Sequence, residues 1–67
     1  MSSAVEKYRE AQRELAYRRR VYAKLLAENR LQPEIAEQRI AIMQEIVEDY
    51  RRLAEIDEPN LFTERSH

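Results

Sequence analysis

The 67-residue chain has no cysteine, no glycine and no tryptophan, only two prolines and a single histidine at the last position. Without cysteine there is neither a disulfide nor a thiolate ligand. Without glycine there is no phosphate-cradling loop of the P-loop or dinucleotide-binding kind. Strands need turns, and the residues that form tight turns at low cost are missing, which excludes a β architecture. The longest apolar run, Ile40-Ala41-Ile42-Met43, is far short of the roughly 20 residues a membrane-spanning helix needs. No charged leader followed by an apolar stretch opens the sequence, so a cytoplasmic location is expected.

What remains is the composition of long helices, with 37% charged residues and abundant Ala, Glu, Arg, Leu and Ile. The net charge of −1 names no partner by itself. A chain this short buries only about 60% of the surface its unfolded form exposes. Small domains compensate with disulfides, a metal or another copy of the chain. The first two have no residues to supply them, so the sequence predicts a homodimer.

Ser3-Ala4-Val5-Glu6 has the form of a capping box, in which serine and glutamate each satisfy the other's backbone amide. A first helix is therefore expected over residues 4–28, with the stripe Ala4, Tyr8, Ala11, Leu15, Tyr22 and Leu26 on one face. Arg18 and Arg19 flank the gap in that stripe. Residues 29–32 form the loop, with Asn29 as the left-handed terminator that glycine usually provides. Pro33 suits the first position of a second helix, and Glu34 and Glu37 suit its positive end. That helix is expected over residues 33–57, ending where Pro59 forces Glu58 out of the α region. Residues 58–67 read as an irregular tail, whose Leu61 and Phe62 could fold back on the open end.

In the second helix, Ile35, Ile42, Ile46, Tyr50 and Leu53 form the expected core stripe. Ala36, Ile40, Met43, Val47 and Ala54 widen it to about 160° of the circumference, more than one partner helix covers. The short loop makes the helices antiparallel. Pairing Leu26 with Ile35 sets a register in which facing residue numbers sum to about 61. Leu15 then meets Ile46, Tyr8 meets Leu53, and small Ala11 makes room for Tyr50. The fold class is thus all-α: one domain, an antiparallel two-helix hairpin, dimerising into a four-helix bundle. Residues 1–30 carry eight Lys or Arg against four Glu, and residues 31–67 four Arg against nine Asp or Glu. The two helices therefore attract each other along their flanks. Across the seam, Arg18 or Arg19 is expected to reach Glu45 or Asp49.

Catalytic chemistry finds no foothold. A carboxylate-bridged metal site in a helical bundle needs Glu-x-x-His pairs, and no Glu has His three residues on. Ser2, Ser3, Thr63 and Ser66 lack a neighbouring base. No catalytic residue, cofactor, metal or small-molecule substrate is expected, and no membrane contact. Two surfaces remain. Tyr17, Val21 and Leu25, with Ile40 and Val47, form a candidate interface for a protein partner. Arg9, Arg13, Arg20 and Lys24, with Tyr17 beside them, form a basic stripe that could contact nucleic-acid phosphates. Glu6, Glu10 and Glu28 dilute it, and several make local ion pairs such as Glu6–Arg9 and Glu10–Arg13.

Arg18-Arg19-Arg20-Val21-Tyr22, followed by Ala36, Ile40, Met43, Ile46 and Asp49-Tyr50, resembles a family of short uncharacterised bacterial and prophage proteins. The resemblance covers roughly residues 13–52. The chain departs from the family pattern at Asn29, where glycine is common, and just after Tyr22, where proline often follows. The resemblance implies a helical hairpin of mobile-element origin and assigns no catalytic role.

Overall fold

The computed structural model describes residues 2–60. It consists of α1 (Ala4–Ala27) and α2 (Pro33–Asp57), packed against each other as a hairpin.

The α1 start is set by side chains. The Ser3 hydroxyl accepts from the Glu6 amide at 3.1 Å, and Glu6 Oε1 accepts from the Ser3 amide at 2.8 Å. Both arms of the capping box are made, satisfying two of the amides a helix start leaves unpaired. At the other end Asn29 has φ 57°. Its amide donates to Leu26 O at 3.1 Å and the Arg30 amide donates to Leu25 O at 2.8 Å. This pair of bonds is a Schellman termination, with asparagine in the left-handed position usually held by glycine. Pro33 opens α2, while Gln32 provides no side-chain cap. At its end the Glu58 amide donates to Ala54 O at 2.8 Å, and Pro59 prevents another turn.

The expected register agrees with the residues that share grooves along the seam. Ala11 lines one with Tyr50, Ala4 another with Asp57, and Leu26 a third with Ala36. In each case the numbers sum to about 61.

The face of α2 turned to α1 is not the expected one. Ala36, Met43 and Ala54 are buried, and Ile40, Val47 and Tyr50 are half-buried between them. Ile35, Ile42, Ile46 and Leu53, expected in the core, are exposed, Ile42 to 48% and Leu53 to 49%. At about 100° per residue, α2 is rotated by about 90° from the expected orientation. The reason is charge. The observed seam of α2, Ala36, Ile40, Met43, Val47, Tyr50 and Ala54, has spacings of 4, 3, 4, 3 and 4 and no charged member. The competing line with the same repeat runs through Arg39 and Asp49, whose desolvation between two helices would be costly. Consequently Leu15 does not face a buried Ile46.

The rotation also removes the expected cross-seam ion pair, because it turns Glu45 and Asp49 outward. Arg18 is half-buried at the seam and donates from Nε to Glu14 Oε2 on its own helix at 2.8 Å. Arg19 is exposed, and Asp49 pairs with Arg52 at 3.1 Å. Neither Arg18 nor Arg19 contacts Glu45 or Asp49 across the seam.

The buried core is meagre. Among the described residues it comprises Val5, Ala11, Ala36, Met43 and Ala54, three of them alanines. Val5 lies off the expected α1 stripe. No large side chain among the described residues is fully buried. The expected folding-back of Leu61 and Phe62 lies outside the described residues.

Candidate interaction face

A hairpin of two helices is a single layer, 16 Å across its narrowest extent. Most domains pack at least two layers around a core, so a single layer has two broad faces to account for. In this hairpin the two differ in chemistry.

On one face, a groove between the helices is lined by Lys7, Glu10 and Glu14 from α1 and by Ile46 and Tyr50 from α2. The helical repeat carries this face toward the loop through Tyr17, Val21 and Leu25 on α1, and through Ile42 and Ile35 on α2. Toward the open end it continues to Leu53. Tyr17 is 54% exposed, and Val21 and Leu25 are half-buried. The opposite face is largely polar. Gln12, Arg19, Glu37, Gln44, Glu48 and Glu55 project there, Arg51 joins Glu48 at 3.4 Å and Glu55 in a close pair, and Gln12 donates to the Tyr8 hydroxyl at 3.1 Å. Among the described residues a small groove near the loop, which includes Tyr22, Leu26, Ala36 and Ile40, adds an apolar stretch to it.

The structure thus regroups the residues expected at a protein interface. Tyr17, Val21 and Leu25 lie on the apolar face. Ile40 and Val47 sit at the α1–α2 seam, half-buried, and contribute to the hairpin itself. Ile35, Ile42, Ile46 and Leu53 take their place as the exposed apolar line of α2. The signal that could have found them is the presence of Arg39 and Asp49 in that same line.

The accessible surface of the chain is 5505 Å². A compact monomer of this mass would expose about 4,500 Å². A single layer of two helices thus exposes more surface than a compact fold of its mass.

The basic stripe lies on the outer side of α1, where Arg9, Arg13, Arg20 and Lys24 are all exposed. Glu10 neutralises Arg13 at 2.9 Å. The Arg20 guanidinium lies 6.0 Å from the centre of the Tyr17 ring, so Tyr17 already holds a cation over one of its faces. Among the described residues no three His, Asp or Glu side chains gather where they could hold a metal ion. No described helix is long and apolar enough to cross a membrane.

Comparison with family models, with curated proteins and with solved structures gives no match.

Proposed function

We infer that this chain is a small non-catalytic interaction or adaptor protein that works by laying its apolar face against another protein chain. The observation that carries this reading is the exposed line Ile35, Ile42, Ile46 and Leu53, continuous with Tyr17 and Val21 across the hairpin. Monomers rarely leave apolar patches of more than a few hundred Å² uncovered, and those that do commonly use them for binding. The reading needs no cofactor. It places the chain in the cytoplasm and, given the resemblance to short prophage proteins, in a mobile-element setting, although nothing in it depends on either.

The test is cross-linked capture in cells, comparing the natural chain with an Ile42→Asp, Leu53→Asp variant. Both positions are exposed in the hairpin, so its helices persist. The natural chain should retain a discrete protein, another copy of itself or a different one, that the variant loses. Equal retention by both would overturn the reading.

A second reading, a nucleic-acid-associated accessory protein, is favoured by the four exposed cations Arg9, Arg13, Arg20 and Lys24 on one side of α1. It requires binding to duplex DNA or to RNA that is strong at low salt and falls steeply as salt rises. A flat response at low salt removes it.

A further inference from the structure

We propose that the occupant of the apolar face is a second copy of the chain, laid face to face and end over end. Each α2 then runs antiparallel to the other α2, and each α1 antiparallel to the other α1. This deepens the interaction reading above and rests on it.

The outer line of α2 is Ile35, Arg39, Ile42, Ile46, Asp49 and Leu53, with spacings of 4, 3, 4, 3 and 4. That is the 3.5-residue repeat of a helix–helix seam, and all six residues are exposed. In its apolar and charged positions the line is a palindrome, and its two charges are of opposite sign: apolar, basic, apolar, apolar, acidic, apolar. A two-fold axis at the level of Gln44, perpendicular to the helices, sets Ile35 against Leu53 of the second copy and Ile42 against its Ile46. The same axis sets Arg39 against Asp49, twice over. A two-fold interface requires such self-complementarity, because residue i meets j wherever j meets i. Among the described residues Arg39 has no ion-pair partner, and Asp49 meets Arg52 in a pair about two-thirds exposed on both sides.

α1 provides a separate check. The hairpin register, in which facing numbers sum to about 61, puts Tyr17 at the level of Gln44. The axis fixed by α2 therefore brings Tyr17 against its own equivalent, Glu10 against Lys24 of the second copy, and Glu14 near its Arg20. Glu6, held in its capping box, and Glu28, paired with Arg30, come to the same level near the helix ends. Nothing in the α2 palindrome demands that opposite charges also match on α1. The other face-to-face arrangement keeps both loops at the same end and lays each α1 over the opposing α2. There Lys24 would lie beside Arg39, like charge on like, and Asp49 would come to the level of both Glu14 and Arg13 with no net gain. The end-over-end axis instead pairs Arg39 with Asp49 twice. Charge therefore selects the end-over-end arrangement. The outer line of α2 stands about 100° from its seam with α1, the corner angle of a four-helix bundle.

The test is sedimentation equilibrium of the full chain and of two single charge reversals, Arg39→Asp and Asp49→Arg, with helix content followed by circular dichroism. Each reversal creates two like-charge contacts about the axis and should weaken the dimer by about tenfold or more. An equimolar mixture of the two variants should recover the natural affinity as a heterodimer, and so should the doubly reversed chain. A mass of 8.1 kDa at every concentration would overturn the proposal; if Ile42 and Leu53 still governed capture of a different protein, the interaction reading would survive it. A dimer unaffected or tightened by the single reversals would overturn the end-over-end geometry.

Discussion

Arg18 donates from Nε to Glu14 Oε2 at 2.8 Å, one turn back along α1, although it lies on the side of the helix that faces α2. Its aliphatic stem covers seam surface while its charged end finds a partner on the same helix. Glu14→Ala should therefore cost only about 0.2–1 kcal/mol, the range of partly exposed pairs. Arg18→Leu restores the missing beat of the α1 stripe and should raise the melting temperature. A fall of several degrees would show that the guanidinium contributes more than the apolar contact it displaces.

Ala54 is fully buried and Ile42 is 48% exposed. Size and burial therefore run opposite to intuition. Ala54→Leu should destabilise by about 1–3 kcal/mol through overpacking at a fully buried site. Ile42→Ala should change a dilute, monomeric hairpin by much less, and should act at concentrations where chains associate. Denaturant melts at two concentrations separate the effects, because association adds stability by mass action.

Asn29 holds φ 57° at the end of α1. Asn29→Gly should be neutral or slightly stabilising, since glycine enters this region without a steric penalty. Asn29→Ala should cost about 1 kcal/mol. Equal thermal stabilities for all three chains would show that the Schellman termination does not limit the hairpin.

The two helix starts offer a matched pair of tests. Ser3 caps α1 through both arms of its box, so Ser3→Ala should cost about 0.5–2 kcal/mol. Gln32 gives α2 no side-chain bond, and Gln32→Asp should add stability of up to about 1 kcal/mol. Opposite shifts in melting temperature are expected, measured at one chain concentration.

Local chemistry made most of the fold legible. The capping box, Asn29, Pro33 and Pro59 each act within a few residues, and they bound the helices at Ala4, Ala27, Pro33 and Asp57. The register was legible too, because a short loop leaves antiparallel helices little freedom to slide. The rotation of α2 was not. Its apolar surface is wide enough to present either of two lines, and hydrophobicity favours the one with four large aliphatic residues. The choice turned instead on Arg39 and Asp49, two charges that only matter once a partner helix threatens to cover them. For the same reason the interface residues divided. Tyr17, Val21 and Leu25 lie on the open face, whereas Ile40 and Val47 were drawn into the seam. Arg18 shows the same limit at the scale of a single side chain, since either Glu14 or Glu45 was a chemically reasonable partner.

The alanine-lined seam has a thermodynamic consequence. Heat capacity on unfolding, and sensitivity to urea, both scale with the apolar surface that unfolding exposes. Ala11, Ala36 and Ala54 are buried yet hide little such surface. An isolated hairpin should therefore have a shallow stability curve, a low urea dependence and a broad melt. Burying the Ile42 and Ile46 line against another chain would steepen all three. The sharpness of the transition, followed across chain concentration, thus reports how much apolar surface association covers.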